Sequence, residues 1–194
     1  MDKENLIQFI QRNSPASRSI VADIADEFTE CRFVKNEYLV REGKISDSYL
    51  YLTDGCMRAF TLDTNGNEVT TNFFLKNRVV FDVSSFFMRI PSTETIQALA
   101  PCTGFIITFE QVNRLFHTIP EFREFGRTML VKEFALFKQR TLALINKSAE
   151  ERYAELIATN KDIFQYAQLK QIASYLGVTD TSLSRIRREY TRKE

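Results

Sequence analysis

Apolar residues in this chain change their period along its length. Leu6, Ile7 and Ile10 fall at helical spacing, as do Ile20, Val21, Ile24 and Phe28, and they predict helices over 4–12 and 16–29. From Cys31 to Phe109 the texture becomes short runs of Val, Ile, Tyr, Phe and Thr cut by turn residues. Strands are predicted at Tyr38–Val40, ahead of Arg41-Glu42-Gly43, and at Ser48–Leu52, stopped by Thr53-Asp54-Gly55. Cys56–Leu62 and Val69–Leu75 flank Asp63-Thr64-Asn65-Gly66-Asn67, whose Asn-Gly pair signals a hairpin. Thr95–Leu99 and Thr103–Phe109 complete the series. Regular short strands of this kind predict a sandwich or jelly-roll barrel.

The period then returns to that of a helix. Glu121 to Asn146, opened by Pro120, reads as one helix of about 39 Å. Phe122, Met129, Leu136 and Ala143 recur every seven residues, and a second row holds Leu130, Phe134, Phe137, Thr141 and Leu144. One row suffices to pack a helix on its own domain. Two rows point to a second partner, most simply the same helix of another subunit; the alternative is a single-chain helix buried on two sides. Polar residues 147–151 introduce a further helix, Arg152 to Thr159.

Gln168 to Glu189 reads as two short helices joined by a tight turn at Gly177. Ala173 lies four residues earlier, where the helices press together. Ile172, Leu176, Val178, Leu183 and Ile186 occupy the apolar positions that a helix-turn-helix unit requires. Thr179 can cap the second helix through its hydroxyl, and Asp180 suits the positive end of the helix dipole. The outward face then presents Asp180, Thr181, Ser184, Arg185 and Arg188, side chains of the kind that read base edges and phosphates in a major groove. An ordinary hairpin with a solvated charged end would share the charges but would not need the glycine, the alanine and all five apolar positions.

Composition sharpens this picture. The net charge is +1 over 194 residues, yet residues 185–193 carry Arg185, Arg187, Arg188, Arg192 and Lys193 against Glu189 alone. A basic tip on a neutral body fits local phosphate contact better than general affinity for polyanions, although cations also favour a helix C-terminus. The N-terminus has acidic residues early and no long apolar run, so neither a secretory signal nor a membrane span is expected and the location is expected to be cytoplasmic. Cys31, Cys56 and Cys102 are scattered without CxxC spacing and suggest small buried side chains in a reducing compartment. His117 is the single histidine, which leaves no material for a His-rich metal site; it is expected near a helix end. No cofactor is expected.

With these elements in order, the chain resembles the cyclic-AMP receptor protein / fumarate–nitrate regulator (CRP/FNR) family of bacterial transcription factors. The resemblance is most specific in ERYAEL and IASYLGVTDTSLSRIRRE. It is moderate in YLVREGKISDSYLYLTDG and MRAFTLDTNGNEV, which look like the first strands and hairpin of the cyclic-nucleotide-binding barrel. It implies an α+β chain: N-terminal helices and a jelly-roll sensor barrel over residues 1–119, a dimerisation helix over 120–146, and a helix-turn-helix DNA-binding domain over 147–194. Only Tyr190 to Glu194 follow the recognition helix, too few for the two-stranded wing of many relatives. A homodimer would place two recognition helices, residues 179–190, in successive major grooves about 34 Å apart on double-stranded DNA. Arg185 matches the family's base-reading arginine and Ser184 a polar contact position, with Thr179, Asp180, Thr181, Arg188 and Arg192 completing the expected contact set.

The sensor site departs from the family pattern. Members that bind cyclic nucleotides carry Gly-Glu, a spacer, then Arg-Ser/Thr-Ala. Here Phe81-Asp82 stands in the first place and Glu94-Thr95-Ile96 in the second. Phe81 removes the close backbone approach that glycine allows, and Glu94 puts an anion where the phosphate needs a cation. Two like charges in a partly buried site cost on the order of several kcal/mol. Cyclic AMP is therefore not expected to bind in the family's mode, and any small-molecule effector is of another kind. Arg89 lies in the same segment and could restore anion binding. The plainer assignment for Asp82 and Glu94 is a polar rim or a salt bridge with Arg78 or Arg89. Phe81, Phe86 and Phe87 are candidates to fill the barrel, given 17 phenylalanines in the chain.

The residues bear on two other function classes. A ligand-binding or protein-interaction module with a vestigial helix-turn-helix is favoured by the short C-terminus and Asp180. An enzyme on a cupin-like barrel commonly needs two or three histidines around a metal, which this chain lacks in its strand region.

Overall fold

Strand alternation divides the middle of the chain into two faces, and each face finds a different partner. The computed structural model describes residues 3–192; Lys193, counted in the basic tip, lies outside them. Helices α1 (Glu4–Gln11) and α2 (Arg18–Asp26) precede eight strands: β1 (Thr29–Phe33), β2 (Tyr38–Val40), β3 (Ser48–Asp54), β4 (Cys56–Leu62), β5 (Glu68–Leu75), β6 (Arg78–Val80), β7 (Thr95–Ala98) and β8 (Cys102–Thr108). Helix α3 (Val83–Met88) lies between β6 and β7. The strands form two four-stranded antiparallel sheets, in the orders β1-β8-β3-β6 and β2-β7-β4-β5, which is the expected jelly roll. The β4–β5 hairpin turns where Asn-Gly predicts it. Gly66 has φ +80°, and the Asp63 carboxylate accepts from the backbone N–H of Asn65 at 2.8 Å and of Asn67 at 2.9 Å.

Between the sheets lie Leu50 and Leu52 of β3, Met57 and Ala59 of β4, and Phe74, Val80, Ile96 and Ala98, all buried. The interior is thus filled mainly by aliphatic side chains. Phe81, Phe86 and Phe87 are not the filling: they pack with Tyr49 and Phe109 against the helices on the outer side of the first sheet. The reason is the pleat, since Leu50 and Leu52 point inward and leave Tyr49 and Tyr51 to the helical layer.

Several boundaries differ from the periodicity. Helix α2 stops at Asp26, and 29–33 is a strand that pairs with β8. Phe109 begins helix α4 (Phe109–Thr118) instead of ending β8; Thr108 caps it with a capping box closed by Gln111. His117 sits in the last turn of α4, as expected for a helix-end residue.

Helix α5 (Pro120–Asn146) runs 27 residues with proline at its first turn. At its start Phe122, Phe125 and Gly126 are buried against α4, and a Cβ added at Gly126 would collide with the Phe116 ring. The second apolar row remains open: Phe134 is 67% and Phe137 63% exposed. Helices α6 (Ala149–Asn160), α7 (Ile163–Tyr166), α8 (Leu169–Tyr175) and α9 (Asp180–Thr191) complete the chain. Their core, including Tyr153, Leu156, Ile172, Ala173, Leu183 and Ile186, is continuous with Cys56, Phe73 and Leu99 on the outer face of the second sheet. The C-terminal helices are therefore docked on the barrel.

Candidate nucleic-acid interface and sensor site

The turn between α8 and α9 is built as the glycine requires. Gly177 has φ +67°, its N–H donates to Ser174 O at 3.1 Å, and Val178 N–H donates to Ala173 O at 3.0 Å. This is the paired bonding of a Schellman motif. Two arginines take carbonyls at the end of α8: Arg152 of α6 donates from Nε and its guanidinium nitrogen to Leu176 O at 3.1 and 2.9 Å, and Arg140 of α5 donates to Tyr175 O at 3.1 Å. Helix termini leave such acceptors without intrahelical partners. Ala173 is fully buried between the helices, as its place four residues before Gly177 predicts.

Helix α9 opens on Thr179, whose Oγ1 accepts from Ser182 N–H at 3.2 Å. Asp180 occupies the first helical position. Leu183 and Ile186 are buried, and the opposite face carries Thr179, Asp180, Thr181, Ser184, Arg185, Arg188 and Arg192, all exposed. The residues read from sequence as DNA contacts therefore share one solvent-facing surface.

Of the sensor-site residues, Asp82 and Glu94 are brought together at Ser92, whose Oγ bonds both, whereas Arg89 is not. Asp82 caps α3, accepting from Ser85 N–H at 3.1 Å, and accepts from the buried Ser92 Oγ at 2.6 Å. Thr95 Oγ1 accepts from Glu42 N–H at 3.1 Å. Arg89 turns elsewhere: it pairs with Asp47, donates to Ser46 O at 3.1 Å and lies 4.1 Å over the Phe109 ring. Arg78 pairs with Glu133 of α5 at 3.0 Å. Neither arginine forms the salt bridge with Asp82 or Glu94 that the sequence suggested, because each is engaged by another carboxylate. Burial lifts the Glu94 carboxyl above its ordinary range; Thr71 pulls it back, Asp82 pushes it further up, and Arg140 lowers it. Among the described residues no group of three or more His, Cys, Asp or Glu side chains is placed to hold a metal ion, and no helix is long and apolar enough to cross a membrane.

Sequence reasoning missed Arg140, which lies beside Lys138 and Gln139 on α5 and reaches both the barrel and α8. It also missed Ser174, hydrogen-bonded to Thr70 of β5. Arg58, fully buried on β4 and paired with Glu68 at 2.6 Å, was not singled out either. A charged residue within a β-strand was the available signal for Arg58; Arg140, among Lys138, Gln139 and Thr141, carried none.

Residues 30–118 match the family model described as cyclic nucleotide-binding domain. The chain is 25% identical over 175 residues to Transcriptional activator protein Anr of Pseudomonas protegens, covering 82% of this chain and 69% of that protein. It spans about two thirds of the length of the curated relatives it matches. Among solved structures it is similar to FixK2 from Bradyrhizobium japonicum, with a TM-score of 0.73 at 17% identity over 86% of this chain and 85% of that one. It is also similar to a transcriptional regulator of the CRP/FNR family from Eubacterium rectale, with a TM-score of 0.71 at 16% identity over 92% and 85% of the two chains. Residues 30–118 thus match the cyclic nucleotide-binding domain, and the chain with its barrel, long helix and capped helix-turn-helix is similar in sequence to bacterial transcriptional activators and in fold to a regulator of the CRP/FNR family.

Proposed function

We propose that this protein is a homodimeric regulator that reads two-fold-symmetric double-stranded DNA through α9 and is not gated by cyclic AMP. The observation that carries the reading is the exposed face of α9, where Ser184, Arg185 and Arg188 sit on a helix fixed by its own N-cap, a Schellman turn and two buried apolar residues. Arg185 offers a fork for guanine, while Arg188 and Arg192 serve phosphates. The open apolar row of α5 supports pairing with a second copy. Against cyclic AMP stands the chemistry of the barrel mouth: Glu94 and Asp82 occupy the segment where a phosphate would need a cation, and Arg89 is engaged with Asp47.

Fluorescence anisotropy with DNA from upstream of the protein's own gene tests the reading. Salt-dependent binding that exceeds binding to random DNA and is unchanged by cyclic AMP supports it. No preference for any upstream segment would favour the interaction-module alternative, and cyclic AMP binding at micromolar affinity by calorimetry would overturn the gating claim.

A further inference from the structure

One side chain touches all three parts of the molecule. Arg140 lies on α5, six residues before the end of that helix. Its guanidinium donates to Thr71 O on β5, the edge strand of the second sheet, and to Tyr175 O at the end of α8 at 3.1 Å. The same group lies 4.2 Å over the Tyr175 ring, which packs edge-on against Phe73 of β5 at 5.1 Å. Glu94 at the barrel mouth attracts it electrostatically. A crevice of about 290 Å³ runs beside it between β5, α5 and α6, so much of the surrounding space is unfilled by packing.

We infer that Arg140 is a positioning residue that fixes the angle of the helix-turn-helix relative to the barrel and α5, and that this angle sets how well α9 reads specific DNA. A planar guanidinium suits the role. It directs separate N–H groups at two carbonyls while stacking on an aromatic face, which a lysine ammonium cannot do. Its partners on the two sides are backbone oxygens, so they are held by a strand and by a helix end and cannot move independently of those elements. The internal cation thus supplies a link between barrel and α8, with Glu94 providing countercharge on the barrel side. The consequence for DNA rests on the proposed regulator function; the positional claim does not.

The test compares the full-length wild type with Arg140→Met, which keeps an unbranched apolar stem, and Arg140→Lys, which keeps the charge without the fork. Amide hydrogen exchange reads the docking directly, because Thr70 N–H donates across the contact to Ser174 Oγ at 3.1 Å. Exchange at Thr70 and at Leu176–Val178 is expected to speed up by about tenfold in the Met variant, the scale of one lost charge-assisted hydrogen bond. Amides of β3 and β8 are expected to keep their protection. The ratio of specific to random DNA affinity is expected to fall by about tenfold, a shift that simple loss of stability would not produce. Unchanged exchange at Thr70 and Leu176–Val178 overturns the inference. So does faster exchange with an unchanged affinity ratio in a protein that does bind specific DNA. If the wild type binds no DNA, the regulator reading fails and exchange alone decides the positional claim. If the Met variant does not fold, the Lys variant decides, with the same contrast expected at smaller size.

Discussion

Thr70 of β5 and Ser174 of α8, 104 residues apart in sequence, are hydrogen-bonded twice. The Thr70 N–H donates to Ser174 Oγ, and Ser174 Oγ donates to Thr70 Oγ1, each at 3.1 Å. The contact joins the barrel to the helix-turn-helix with polar groups, and Thr70 itself is fully buried. Ser174→Ala leaves both Thr70 groups without that partner. It is expected to lower the unfolding free energy by about 1–3 kcal/mol. Denaturant unfolding followed by circular dichroism measures it, and a loss below about 0.5 kcal/mol would mean that water replaces the hydroxyl.

Arg185 projects from the exposed face of α9. Arg185→Ala is expected to weaken binding to the specific site by about 1–3 kcal/mol and to relax base preference at one position per half-site. Random DNA should bind as before. Arg188→Ala, by contrast, should weaken binding to every sequence and flatten the salt dependence. Competition anisotropy against a panel of single-base variants separates the two roles; equal loss on specific and random DNA contradicts base reading by Arg185.

Burial raises the Glu94 carboxyl above its ordinary value of 4.5, Asp82 adds to this, and Thr71 and Arg140 oppose it. The folded protein therefore holds this proton more tightly than the unfolded chain does. The resulting stabilisation is fully present below the unfolded value and is lost as pH rises through the raised folded value. Glu94→Gln keeps the neutral form at every pH. The variant is expected to gain thermal stability relative to wild type as pH increases from about 4.5 towards neutrality. Melting curves across that window check the sign, and a wild type that gains on the variant as pH rises refutes it.

Phe134 is 67% exposed on α5 and lies in the open apolar row. Phe134→Lys should cost the single chain little because the side chain packs on no buried cluster of its own. In a dimer formed through this row it would set two cations against an apolar seam. Sedimentation velocity is expected to show a shift from dimer to monomer. A monomeric wild type, or a variant that dimerises equally well, excludes this face as the interface.

Elements whose local chemistry agrees with their final state were legible in the sequence. Helix α5 announces itself by proline and a sustained period, the β4–β5 hairpin by Asn-Gly, and the helix-turn-helix by Gly177, Ala173 and Thr179. Helix α3 has six residues, too few to show a period, so the capping role of Asp82 was not legible. Strand β1 is an edge strand with mostly exposed residues, so its pairing with β8 left no alternating apolar pattern. Helix α4 was hidden because Phe109, apolar and next to β8, extends the strand pattern past the Thr108 cap. The exposed polar face of α9 follows from local amphipathicity alone. The sensor region does not, because what Arg78, Arg89, Glu94 and Arg140 do depends on which strand or helix is brought beside them, and that is a tertiary fact.

The tight seat of Gly126 against Phe116 has a geometric consequence far from where it occurs. It lies near the start of α5, and the remaining 20 residues to Asn146 extend about 30 Å. Helix α5 is thus a lever with its fulcrum at α4. A tilt of about 5° at that fulcrum would swing the far end by roughly 2–3 Å, a displacement comparable to the full length of a hydrogen bond. In the proposed dimer, a single methyl group introduced at Gly126 would therefore change the spacing of the two α9 helices without touching a nucleotide.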